Sequence, residues 1–330
     1  MKKRLLSAIT FFLLAAVLVT GLNDVVMRKQ DNRYYILEKE LEENNEVYEV
    51  QIYGSCHAYT SFNPMLLIEK HDVTCYNLAN AGETFPATYL RMLNRFKKDS
   101  PKIAVVEIWG VNPYETYISV QDNLGSYLPY NIERLPLTME KIEVINDFDT
   151  LDLLAENFAL AKYKDRLLDY SITGADLNYS YELLKSTYDP EGDYWLYEEM
   201  DLRFENNGFK PYITGNVDGY EEMQAKIEYG EAMAVEPDIM KYVEKIIELC
   251  EEYEVKPIFY RAPYRSTANE LRKVNYLKKY FAEKQIPFFD LEEEIPFEYA
   301  TDFHDYEHLS ETGAQKATEF LCEYIMEYLN

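Results

Sequence analysis

Three short apolar runs early in the chain each stop near a glycine. Residues 50–53 lead into Gly54, residues 73–78 into Asn80-Ala81-Gly82, and residues 103–108 into Trp109-Gly110. Short runs of this kind bounded by glycine read as strands, and the third is apolar enough for a central parallel strand covered on both faces. Between them lie stretches with helical spacing. Residues 62–69 form one, with Ser61 as its expected N-cap and Pro64 in the first turn. Residues 86–98 form another, with Tyr89, Leu90, Met92, Leu93 and Phe96 along one stripe. The alternation resumes late in the chain: a helix over 237–253, a strand over 256–260, a helix over 267–284, a strand over 287–291, and a last helix over 310–328. That last helix has Ser310 as N-cap and Glu311 in its first turn. Such alternation predicts an α/β fold, a parallel sheet with helices on both faces.

Two stretches depart from this rhythm. From 113 to about 235 the chain is rich in Tyr, Asp, Glu and Asn, with helical runs near 139–145, 151–168 and 181–184 and no strand–helix repeat. It reads as a long insertion in a domain spanning 50–330, either a substrate-shaping cover over one end of the sheet or a helical decoration. At the other end of the chain, Lys2, Lys3 and Arg4 precede an uncharged, apolar stretch over 5–22. Residues 1–29 read as a signal peptide or transmembrane anchor, and the poor small-residue site at Val19-Thr20-Gly21 favours the uncleaved anchor. Residues 30–49 would be a stalk. The basic flank would stay in the cytoplasm and the globular part would lie outside, at the cell membrane or secreted.

The formal net charge of −26 repels phosphate backbones, so nucleic acid is not an expected partner. The 31 tyrosines suit ordinary packing, and also stacking on sugars. Cys56, Cys75, Cys250 and Cys322 form no CxxC pair. Three of them sit in apolar patterns and read as buried thiols, whereas Cys56 follows a glycine at a strand end.

In a parallel sheet, sites gather at the carboxyl ends of the strands. Cys56, Gly82, Gly110 and Asn112 all fall at such ends, and Asp305-Tyr306-Glu307-His308 precedes the last helix. An Asp three residues before a His can hold one imidazole nitrogen and leave the other as a base. A base so placed would serve Cys56 as nucleophile, with the Cys56 and Gly82 N–H groups and the Asn112 amide as oxyanion donors. His57 reads as packing or support beside the site, and Glu107 as a strand-end carboxylate that needs a partner. His71 and His304 read as surface or loop residues. The spacing of Cys56, His57 and His308 does not by itself call for a metal ion, and no cofactor motif is present.

These residues resemble the SGNH (GDSL-like) hydrolase superfamily. The similarity lies in Gly54-Ser55-Cys56-His57 followed by Phe62-Asn63-Pro64, then Gly82, Gly110-x-Asn112 and Asp305-x-x-His308, over about half of the chain. The resemblance implies a three-layer α/β/α, flavodoxin-like domain and acyl-ester chemistry. It points to membrane-anchored, extracytoplasmic relatives that O-acetylate or D-alanylate alginate, peptidoglycan or teichoic acid. The implied partners are a cell-surface polysaccharide or its acyl donor and a multispanning membrane acyltransferase. The chain departs from the family at the nucleophile, where Cys56 replaces serine. Three readings follow: a Cys-His-Asp enzyme, a turn shifted to use Ser55, or an inactive fold that binds glycan or assists assembly.

Overall fold

The structure, a computed structural model, describes residues 2–28, 46–109, 127–133, 135–148, 202–215 and 231–329, with the single positions 37, 41, 111 and 161. Five parallel strands form one sheet: β1 (Val50–Tyr53), β2 (Cys75–Asn77), β3 (Ile103–Glu107), β4 (Lys256–Arg261) and β5 (Phe288–Asp290). Their order, β2-β1-β3-β4-β5, is that of flavodoxin-like doubly wound sheets. The α/β expectation therefore holds, and the third strand lies in the middle as expected. β2 and β5 are shorter than their apolar runs suggested.

The sheet separates two cores. Along β3, Ile103 and Val105 face one core and Ala104 and Val106 the other; along β4, Ile258 and Tyr260 alternate with Phe259 in the same way. Period-2 alternation of apolar side chains requires cover on both faces. The helices Phe85–Phe96, Pro237–Glu252 and Ala268–Glu283 cover one face, and Pro64–His71 and Glu311–Leu329 the other. Each fully buried aliphatic or aromatic side chain here contributes about 1.5–3 kcal/mol.

One helix boundary differs from expectation. Ser61 caps nothing; it ends a separate six-residue helix, Cys56–Ser61, and its hydroxyl pairs with Tyr260 at 3.1 Å. The next helix, Pro64–His71, is capped by Asn63, whose side chain accepts from the Met65 N–H at 3.0 Å. Pro64 at the first helical position suits that start, because its missing N–H would be unpaired there anyway.

Within 113–235, helices form at Tyr127–Ile132 and Met139–Asp147, the second over the run expected at 139–145. The runs expected at 151–168, position 161 apart, and 181–184 lie outside the described residues. The insertion's return, residues 202–215, packs tightly on the domain. Buried Arg203 donates to the carbonyls of Gly208 and Ala79, both at 2.9 Å, and lies 4.3 Å over the Tyr59 ring. Gly208 adopts φ +87, and a Cβ there would meet the Asn77 carbonyl oxygen at 2.0 Å. At the other end, Lys2–Arg28 is one continuous helix whose window Leu6–Asn23 is long and apolar enough to cross a membrane and is not buried by any of the described residues.

Candidate active site

β1 ends at Gly54, whose φ of +135 belongs to glycine. The chain passes so close to β3 that a Cβ on Gly54 would sit 2.8 Å from Glu107 Cβ. This turn starts the Cys56–Ser61 helix at the sheet edge. Ser55 is its N-cap, accepting from the His57 N–H at 3.2 Å.

Ser55 is buried and its hydroxyl is engaged. It donates to Glu107 Oε2 at 2.9 Å, and its backbone N–H reaches the same oxygen at 3.3 Å. The hydroxyl has one proton, so its 3.0 Å contact with His57 Nδ1 is accepted from the ring. Burial lowers the His57 pKa to about 4, so the ring is neutral; a proton on Nδ1 leaves Nε2 bare. Glu107 is the partnered strand-end carboxylate, and burial, opposed by the Ser55 hydrogen bonds, raises its pKa to about 7.

On the far side of the sheet edge, Asp305 and His308 pair as the spacing predicted. His308 Nδ1 lies 3.0 and 3.1 Å from the two Asp305 oxygens, and Asp305 Oδ1 also accepts the N–H groups of Glu307 and His308 at 2.8 Å each. Burial works against charge on His308, but the Asp305 hydrogen bond and the neighbouring Cys56 overcome it and raise the pKa to about 10. Asp305 is held down to about 2: burial would raise it, and the His308 and backbone hydrogen bonds prevail.

The two ends of the chain meet. Cys56 Sγ and a ring nitrogen each of His57 and His308 all lie within 4.8 Å of one another. Cys56 is partly exposed, while Cys75, Cys250 and Cys322 are buried free thiols. His57 stacks between Tyr264, at 4.5 Å and 15°, and His308, at 5.5 Å and 27°. It is thus the supporting side chain that the sequence reading favoured.

Of the oxyanion candidates, Gly82 occupies a left-handed turn at φ +61, held by Asn131, which accepts from the Asn80 amide at 2.7 Å and donates to the Ala81 carbonyl at 3.1 Å. Neither the Cys56 nor the Gly82 N–H meets an acceptor among the described residues. Gly110 and Asn112 lie outside the described residues. His71 is exposed, whereas His304 is only partly so; it stacks on Tyr212 at 4.2 Å and its Nδ1 contacts the Ile213 carbonyl at 2.8 Å.

Arg261, Tyr264, Tyr212 and Tyr127 escaped the sequence reading. Arg261, buried at the end of β4, pairs with Asp290 at 2.8 Å and Glu292 at 2.9 Å and donates to Ser266 at 2.9 Å, bracing the turn that carries Tyr264. A charge at the carboxyl end of an apolar strand was the available signal. Tyr212 packs 5.6 Å from His308, and Tyr127 stands edge-on to Trp109 at 5.7 Å. Burial, then Cys56 and Glu307, raise the Tyr127 phenol above its usual value, and its ring lies so close over Gly82 that a Cβ there would meet it at 2.0 Å.

No protein-family model matches this chain, and no curated protein matches it. Among solved structures, an acetyl xylan esterase from the rumen bacterium Butyrivibrio proteoclasticus is similar over 86% of this chain at 11% identity, with a TM-score of 0.31. The chain spans 65% of that structure's length. A likeness of this degree carries neither family nor substrate across, so the functional reading rests on the side chains at the strand ends.

Proposed function

We propose that this protein performs acyl-ester chemistry outside the cytoplasm, as an O-acyltransferase or esterase acting on a cell-surface glycan. Cys56 is the nucleophile, His308 the proton donor and acceptor, and Asp305 its orienter. The observation that carries the reading is the meeting of Cys56 and His308 within 4.8 Å, with Asp305 fastened to the His308 Nδ1.

The charge state suits a thiol better than a serine. A histidine with a pKa of about 10 already carries its proton at neutral pH and makes a poor base for a hydroxyl. Beside a sulfur nucleophile, it is ready to act as the acid. Cys56 Sγ attacks the acyl carbonyl carbon, the ester C–O bond breaks, and His308 gives its proton to the leaving alkoxide. An acceptor hydroxyl or water then attacks the thioester, His308 takes its proton, and the C–S bond breaks to restore the pair. The Cys56 and Gly82 N–H groups, with the Asn112 amide, serve as oxyanion donors.

The aromatic rings of Trp109, Tyr127 and Tyr212 near the thiol and His308 give a sugar faces to stack on, in keeping with a glycan acceptor. The apolar N-terminal helix would keep the site beside a membrane, where a multispanning acyltransferase could supply acyl groups. Incubation with an aryl acetate tests the chemistry. The expected result is an acetyl group on the Cys56 peptide by mass spectrometry, absent in Cys56→Ala. Phenol release equal in wild type and Cys56→Ala, with no acetylated Cys56, would overturn it.

A further inference from the structure

We propose that Cys56, His57 and His308 also form a binding site for one thiophilic transition-metal ion of the Zn2+ class, whose occupancy silences the nucleophile. Acyl transfer needs a thiol, one imidazole and one carboxylate. It has no need of a second imidazole within 4.8 Å of the sulfur, or of the support beneath that ring. A metal ion uses all of them.

The donor set is one sulfur and two imidazole nitrogens, which selects borderline and soft cations over Ca2+ or Mg2+. His57 Nε2 supplies independent evidence of a missing partner. Among the described residues it is a buried nitrogen, on a side chain only 2% exposed, with no partner within hydrogen-bond distance, the nearest carboxylate oxygen, of Glu307, lying 3.6 Å away. Buried polar atoms are normally satisfied, and a metal bond would satisfy this one. Both rings are also anchored as metal-bound histidines usually are, through one nitrogen, which leaves the other for an ion. His308 Nδ1 rests on the Asp305 carboxylate, and His57 Nδ1 on the Ser55 hydroxyl, itself backed by Glu107. Glu307 Oε2 lies 3.6 Å from His57 Nε2 on a side chain 46% exposed, outside the three-donor group, so the remaining position on the ion is left to water or to a movement of that side chain.

Metal–ligand bonds of about 2.0–2.3 Å put donor atoms roughly 3.5 Å apart, so assembly requires the three groups to close by about an ångström. The partly exposed Cys56 side chain has room for that movement. A sulfur bound to the ion cannot attack a carbonyl, so metal binding and thioester formation exclude each other.

The test uses the full-length protein in detergent, with ZnCl2 titrated against a colorimetric chelator and CoCl2 as a spectroscopic probe. The expected results are one ion per chain and a thiolate-to-cobalt charge-transfer band in the wild type. Binding should weaken at least about tenfold in both Cys56→Ser and His57→Gln, and be unchanged in His71→Ala. Zinc should also protect Cys56 from iodoacetamide. The absence of a cobalt–thiolate band would overturn the site, as would wild-type zinc binding by both variants, which would place the ion on the acidic surface. The two proposals fail separately. Acetylated Cys56 in excess chelator without stoichiometric zinc sinks only the metal site, and zinc on Cys56 without any acetylated form sinks only the acyl chemistry.

Discussion

The Ser55 hydroxyl donates to Glu107 at 2.9 Å across 52 residues of chain, tying the turn before the thiol to the end of the central strand. The serine next to the nucleophile position is thereby a strut. Glu107→Ala would strand both Ser55 donors in the core and lower stability by about 1–3 kcal/mol, read from urea midpoints. Glu107→Gln keeps an acceptor and should lose less. Because burial raises the folded pKa from 4.5 to about 7, ionisation opposes folding. Wild-type stability should therefore decline relative to Glu107→Gln as pH rises from about 4.5 to 7, and run parallel above that.

Charge on His308 is the second measurable quantity. Its imidazole resonances should titrate near pH 10 and fall toward the ordinary 6.5 in Asp305→Asn and, in part, in Cys56→Ala. The folded pKa is raised, so the stability it contributes is complete below pH 6.5 and lost as pH climbs through about 10. Comparing denaturation of wild type and His308→Asn across that window checks the sign. Asp305→Asn should also slow thioester formation by about 10²–10⁴-fold.

Gly54→Ala combines a disfavoured φ of +135 with a Cβ contact of 2.8 Å to Glu107. The expected loss is about 1–3 kcal/mol from strain alone. Labelling of Cys56 by iodoacetamide should change as well, because the turn that aims the thiol must shift.

Removing residues 2–28 should move the protein from the membrane fraction to the soluble one without altering its thermal unfolding, since none of the described residues buries the window Leu6–Asn23. A lowered melting point would show that this helix packs on the domain.

Much of this architecture was legible because parallel strands are short, apolar and followed by glycine, a local pattern. Gly54 and Gly82 both proved to sit in positive-φ turns at strand ends. The Asp305–His308 pair was legible for the same reason: both partners lie within one tight loop. The helix Cys56–Ser61 was not, since six residues hold less than two turns and show no period. Its presence moved the next cap from Ser61 to Asn63. The need of Glu107 for a partner was readable from burial in an apolar strand, but the partner's identity was not, because the contact between β1 and β3 is set by the sheet. Tyr212 and Tyr264 lie in irregular segments, where aromatic residues carry no periodic signal, and their roles emerged only from stacking on His304 and His57.

The return of the insertion has a consequence for how such a protein can change. Residues 212–215 are laced to the loop before the last helix. The Glu311 N–H donates to the Tyr212 carbonyl at 2.7 Å, the Gly215 N–H to Phe303 at 3.1 Å, and the Thr214 hydroxyl to Thr301 at 2.9 Å. The segment that packs Tyr212 on His308 and His304 is therefore also tied to both flanks of the loop carrying Asp305 and His308. Exchanging it for another would loosen the Asp305–His308 loop at the same time, whereas a change at a single side chain such as Tyr127 leaves those three bonds in place.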